Sequence, residues 1–260
     1  MGKRKEMFGL QNFSGSCWVN ACLQALFRIP EVQQRYSNNQ SDKSNQIDTS
    51  LESIWISKGK IGLKDFFDVV RTETMPAGHG IGDSHELFNY LCDKLPYLDT
   101  LCRFQVADEI ECVSCKDKMI KKDSVIEYSI STDGKHIPIS ECIKNTIIPN
   151  TILDWTCDKC QKKGCTQQHL IGTFPKIMIF YMTNPIGSID YSSILVLNSK
   201  KYALNSVVCY NGSHWWTRGR NMPPGSSWHT LDDQNVTDHG PKQFPVSNMM
   251  RMLIYYRLED

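Results

Sequence analysis

Three sets of residues in this chain are of types and spacings that do chemistry. The first is Cys17. A polar, glycine-containing turn, Gln11 to Ser16, runs straight into it, and it opens an apolar stretch with helical periodicity that Pro30 closes. A thiol at a helix N-terminus sits at the positive end of the macrodipole, which favours the thiolate and so a nucleophile. The same position also fits a buried, inert thiol at the start of a core helix.

The second set is two CxxC pairs, Cys112-Val113-Ser114-Cys115 and Cys157-Asp158-Lys159-Cys160. Each places two thiolates on a tight knuckle, and four thiolates close a tetrahedral shell, the usual form of a structural Zn²⁺ site. The 41 residues between the pairs exceed the loop of a compact zinc finger, so the knuckles are expected on neighbouring β-hairpins. Cys165, five residues after Cys160, competes as a ligand. One zinc per chain, with no open position and hence no catalytic role, is expected; two unrelated pairs or a redox dithiol are the plainer readings.

The third set is histidine and carboxylate. A cysteine nucleophile needs a base, and the base needs a group to orient it. His214 follows a strand and the turn Asn211-Gly212-Ser213, and enters a second strand. Asp232 and Asp233 end another short strand, Trp228 to Asp233. Adjacent antiparallel strands would set Asp232 against the His214 imidazole, with His229 as the rival histidine.

The elements that must position these groups change character along the chain. Residues 17 to 100 read as mostly helical: Cys17 to Leu26, a continuation or second helix at Glu31 to Tyr36, a polar loop from Ser37 to Thr49, then Leu63 to Val70, a glycine-punctuated loop from Pro76 to Gly82, and Asp83 to Leu95. After residue 100 short β-like runs appear: Phe104–Ile110, Ser124–Ile130, Lys176–Met182, Ser193–Leu197, Tyr202–Tyr210 and Met249–Arg257. Helices first and strands later predict an α+β fold rather than an alternating parallel sheet.

Composition bounds the function classes. The 260 residues carry a net charge of +1, which makes no case for nucleic acid or acidic lipid as a partner. The Lys3-Arg4-Lys5 cluster reads as a solvated tail. No apolar run approaches a membrane span, and the N-terminus lacks the apolar core of a signal peptide. Eleven cysteines, an odd number in a chain of this length, fit thiols used for metal and chemistry in a reducing compartment, cytoplasm or nucleus.

With these residues in place, the chain resembles the catalytic domain of the ubiquitin-specific proteases, papain-like deubiquitinating cysteine peptidases. Their cysteine box is matched at Gly9, Leu10, Asn12, Cys17, Asn20, Ala21, Leu23 and Gln24. Their histidine box is matched at Tyr202, Leu204, Ser206, Val207, His214, Trp228, Asp232 and Asp233. Ile81 to Leu87 resembles their acidic helix, the two CxxC pairs their zinc-binding fingers, and Met252 to Arg257 their final strand.

The resemblance implies a papain-like fold with a helical thumb (about residues 1–102), zinc-bearing fingers (103–173) and a β-rich palm (174–260) in a single catalytic domain. It implies Cys17 as nucleophile, His214 as general base and then acid, and Asp232 as the group that orients it. Asn12 would supply an oxyanion donor with the Cys17 backbone N–H, and Asp233 would assist. Asp83 and Glu86, three apart and so on one helix face, would receive the arginines of the ubiquitin tail. Ubiquitin or its conjugates would be the partner, with SUMO or another ubiquitin-like modifier, or non-catalytic ubiquitin binding, as the alternatives. A monomer without a catalytic cofactor is expected.

The chain departs from the family pattern at several positions. Ser14 stands where the family has Gly, and Gly15-Ser16 replace Asn-Thr. Trp18 replaces Tyr, Ser213 replaces the glycine before the histidine, and Ile81-Gly82 replace two glutamines. Moving a glycine by one position changes which residue can take positive φ, so the turn before Cys17 is open.

Overall fold

The computed structural model describes residues 7–75, 80–131, 136–183, 188–242 and 248–259. The Lys3-Arg4-Lys5 cluster and part of the Pro76 to Gly82 loop lie outside them. Six helices come first: α1 (Cys17–Leu26), α2 (Pro30–Ser37), α3 (Gln46–Ser57), α4 (Leu63–Thr74), α5 (Ser84–Lys94) and α6 (Pro96–Cys102). The strands follow: β1 (Phe104–Cys112), β2 (Lys118–Val125), β3 (Tyr128–Ile130), β4 (His136–Pro138), then α7 (Ile139–Ile147), β5 (Asn150–Thr156), β6 (Lys163–Ile171), β7 (Ile177–Met182) and β8 (Ser188–Asp190). The chain continues through β9 (Ile194–Leu197), β10 (Lys200–Tyr210), β11 (Trp215–Gly219), β12 (Trp228–Asp232), β13 (Asn235–Gly240) and β14 (Met250–Arg257). This is the expected α+β order. No described helix is long and apolar enough to cross a membrane.

The central element is α1, all ten residues of which are buried. A helix enclosed on every side needs partners all round, and α1 packs on β10, β11 and β12 on one side and α5 on the other. The sheet it lies on has the order β13-β12-β11-β10-β14-β7-β3, with β9 paired to β10. Alternate residues of its strands feed two cores. Ile177, Ile179, Met252 and Ile254 pack with the helices, while Met178, Phe180, Leu253 and Tyr255 pack on the other face. Burial on both faces explains why β7 and β14 read as near-continuous apolar runs.

A separate four-stranded antiparallel sheet, β2-β1-β6-β5, carries the two CxxC knuckles. β3, though it falls between the strands of this sheet in sequence, pairs parallel with β7 in the large sheet. The predicted single strand Ser124–Ile130 is therefore corrected: β2 ends at Val125, and the chain crosses from one sheet to the other before Tyr128. The predicted loop to Thr49 is also shortened. Asn45 is the N-cap of α3, its side chain accepting the Ile47 and Asp48 N–H groups at 3.0 and 3.1 Å. The residue types that make turns are those that cap helices, so composition alone does not separate the two.

Candidate active site

The turn before α1 is built by Asn12. Its Oδ1 accepts the backbone N–H groups of Gly15 and Ser16, each at 3.1 Å. This closes a tight loop in which Ser14 (φ 49°) and Gly15 (φ 102°) are both left-handed. Ser14 thus takes the conformation that the family's glycine would adopt freely, at about 1–2 kcal/mol.

Cys17 is the first residue of α1 and is 2% exposed. Burial pushes its thiol up from the ordinary value, the Trp215 backbone N–H pulls it down, and the charge of Asp233 pushes it up again. The Trp18 and Cys17 N–H groups at the helix start also pull it down, but burial prevails. The helix start favours the thiolate as expected, through these N–H groups, and the burial that the plainer reading foresaw outweighs it.

His214 is aimed by its own turn. Asn211 Oδ1 accepts the N–H groups of Ser213 and His214 at 3.0 and 2.8 Å, with Gly212 at φ 101° between. β11 and β12 are antiparallel, Thr217 lying opposite Leu231. This brings the residue before β11 beside the last residue of β12, and His214 Nε2 lies 2.6 Å from Asp232 Oδ1. With Nε2 so engaged, Nδ1 is the ring nitrogen left to exchange a proton with a thiol. Trp216 lies parallel to the imidazole, its ring 6.3 Å away and inclined by 15°. Trp215, whose backbone N–H pulls the Cys17 thiol down, is the next residue after His214, and β11 packs on the helix that Cys17 opens. His229 is engaged elsewhere, its Nε2 3.7 Å from Asp238 on β13.

Asp233, in the turn after β12 at φ 50°, faces the same centre. Its Oδ2 accepts Asn12 Nδ2 at 2.7 Å and lies 4.0 Å from His214 Nε2; its Oδ1 accepts Asn20 Nδ2 at 2.7 Å. Its backbone carbonyl accepts the Leu10 N–H at 2.8 Å. Asn20 was noted in the sequence only as a motif match. The signal for more was an amide inside a largely apolar buried helix, which must find partners.

Asp83 is the N-cap of α5, accepting the His85 N–H at 2.6 Å, and Glu86 is in the first turn behind it. Ser84 Oγ donates to the Trp18 carbonyl at 2.7 Å and so ties the start of α5 to the start of α1. His85 pairs with Glu127 and stacks on Tyr181 at 3.6 Å and 5°. A Cβ on Gly82 would stand 2.6 Å from the Trp18 indole. The two departures from the family pattern at 18 and 82 are therefore one exchange of volume, a larger ring facing a missing side chain.

The four knuckle cysteines Cys112, Cys115, Cys157 and Cys160 come together, their sulfurs all within 4.8 Å of one another. The Cys112–Cys160 and Cys115–Cys157 separations are 3.6 and 3.7 Å. Four thiolates about 2.3 Å from a central Zn²⁺ would be about 3.8 Å apart, so donor set and spacing fit a tetrahedral ion. The two knuckles share one geometry. In each, the residue after the second cysteine is left-handed (Lys116, φ 60°; Gln161, φ 58°) and donates its N–H to the first cysteine's carbonyl, at 3.0 and 2.8 Å. Cys165 is not the fifth contender it seemed in sequence: it lies in β6 opposite Cys112, buried and outside the cluster.

Comparison with known proteins adds to this geometry. The profile of the family described as ubiquitin carboxyl-terminal hydrolase matches residues 8–186. Ubiquitin carboxyl-terminal hydrolase 47 of Drosophila melanogaster is 21% identical over 265 aligned positions, covering 89% of this chain; the chain spans 16% of that protein's length. Among solved structures, the SAGA DUB module of Ubp8, Sgf11, Sus1 and Sgf73 bound to monoubiquitin aligns over 99% of this chain and 71% of its own, with TM-score 0.81 and 14% identity. The module bound to ubiquitin aldehyde aligns over 100% and 71%, with TM-score 0.77 and 15% identity. At such identities the likeness speaks for the fold.

Proposed function

The chain belongs to the ubiquitin carboxyl-terminal hydrolase family, and on that premise we propose that it is a cysteine isopeptidase that removes ubiquitin from its conjugates. The observation that carries the reading is the short His214–Asp232 pair on the strands that pack against a buried thiol at a helix start. Cys17 attacks the carbonyl carbon of the terminal glycine of ubiquitin as His214 Nδ1 takes the thiol proton. Asp232 holds the ring and stabilises the imidazolium through Nε2. A thiol held up by burial suits this coupled transfer, because the proton leaves only as the sulfur finds its electrophile.

The tetrahedral oxygen is met by the Cys17 backbone N–H and by the second Asn12 amide hydrogen, the first being held by Asp233. Donors of this kind contribute roughly 2.7–4 kcal/mol to the transition state. Collapse expels the amine, which takes the proton back from His214, and water then hydrolyses the thioester by the reverse assignment. Asp83 and Glu86, at the start of the helix tied to α1, face the basic tail of ubiquitin. Structural zinc on Cys112, Cys115, Cys157 and Cys160 pins the fingers, with residues 1–102 as thumb and 174–260 as palm. The solved neighbours bound to monoubiquitin and ubiquitin aldehyde support ubiquitin as the partner.

Ubiquitin, SUMO and other modifiers carrying a thiol-trapping electrophile at the C-terminus test the reading. A covalent adduct with ubiquitin that disappears in Cys17→Ala is expected. An adduct with another modifier alone would change the substrate, and no adduct from a folded protein would leave ubiquitin binding without cleavage.

A further inference from the structure

Ser16 stands at the N-cap of α1, yet its side chain does not cap the helix. A serine there ordinarily accepts an N–H from the second or third helical residue. Ser16 Oγ instead turns back, accepting the Phe13 N–H at 2.8 Å and directing its own hydrogen to Asn12 Oδ1 at 3.4 Å. The residue is buried, at 1% exposure, so the hydroxyl is confined to these partners.

Two consequences meet at the reaction centre. Asn12 Oδ1 receives three donors, the Gly15 and Ser16 N–H groups and the Ser16 hydroxyl, while its Nδ2 faces the Asp233 carboxylate. The amide therefore has a single polarity; reversed, it would turn an NH₂ on three donors and an oxygen on a carboxylate. Meanwhile no side chain caps the start of α1, so the N–H groups of its first residues stay open beside Cys17. A capping serine would draw on the same helix end that the developing negative charge needs.

We propose that Ser16 is a positioning residue of the oxyanion site, fixing the Asn12 amide through its hydroxyl and leaving the first N–H groups of α1 open to the reacting atoms. It touches no substrate; it acts through Asn12 and through the cap it withholds. The proposal rests on the reading of Cys17 as nucleophile.

Ser16→Ala and Ser16→Thr in the full chain test it, with ubiquitin bearing a C-terminal fluorogenic amide as substrate. In Ser16→Ala, kcat should fall by about tenfold, less than loss of a direct oxyanion donor, with KM unchanged. Ser16→Thr, which keeps the hydroxyl, should recover most of kcat. The Asn12 side-chain amide signals in ¹⁵N NMR should move or broaden in Ser16→Ala and return in Ser16→Thr. An unchanged kcat in Ser16→Ala would overturn the proposal, as would a loss shared with KM and not recovered by threonine. If the wild-type protein turns over no ubiquitin amide, the functional reading fails by itself. The Asn12 signals then decide the positioning role: unchanged in Ser16→Ala, they overturn it.

Discussion

Asp233 holds two amides at once, Asn12 on one carboxylate oxygen and Asn20 on the other, each at 2.7 Å. Its charge is also among the influences that keep the Cys17 thiol up. Removing that charge must lower the thiol. In Asp233→Asn, alkylation of Cys17 by iodoacetamide should therefore follow pH along a curve displaced to more acid values than in the wild type. An undisplaced curve would show that Asp233 does not reach the sulfur. The wild-type rate should keep climbing above pH ~9 as the raised thiol ionises. At this scale the sequence was informative because cysteine, histidine and paired carboxylates are rare enough for their order along the chain to carry weight. Asn20 and Ser16 were opaque: amides and hydroxyls are common, and only the partner atoms distinguish a motif match from a positioning group.

Among elements, the segment entering α1 and the turn joining β12 to β13 are held almost in van der Waals overlap. A Cβ on Gly9 would stand 2.3 Å from the Gln234 carbonyl oxygen, and the neighbouring Leu10 donates its N–H to the Asp233 carbonyl. Gly9→Ala must therefore push the turn away from α1, carrying Asp233 with it. A fall in kcat/KM of at least about tenfold is expected, since small misplacements near the chemistry are magnified in rate. Circular dichroism and zinc content should stay unchanged; full activity would mean that the turn yields without moving Asp233. Elements with one enclosed face, such as α4 and α5, were legible from periodicity. β5 was not, because its residues are exposed or half-exposed on both faces and leave no alternation to read. The break between β2 and β3 was missed because an uninterrupted run of strand-forming residues does not reveal which sheet each part joins.

For the molecule as a whole, the four-stranded sheet has little apolar interior of its own: β2 is exposed along nearly its entire length. Its two hairpins are tied at their tips by the cysteine cluster. Zinc should be found at one per chain, and its removal by a strong chelator should unfold this sheet before the helical body. Loss of β-signal at lower temperature with retained helical signal would show it; a single unchanged transition after complete metal loss would argue against a metal-held sheet. The α+β architecture was legible because helices and strands are segregated along the chain. The partition of the described strands into separate sheets, with β4 and β8 forming a small pair of their own, was not, since it depends on pairings between strands far apart in sequence.

The hydrogen bond from Asn12 to Asp233 spans 221 positions of sequence. During synthesis Cys17 emerges well before His214, Asp232 and Asp233, the groups proposed to activate it. On the proposed reading, a nascent chain has no assembled site until β12 and the turn after it have been made. An interrupted chain that ends before β11 would carry Cys17 without the base proposed for it.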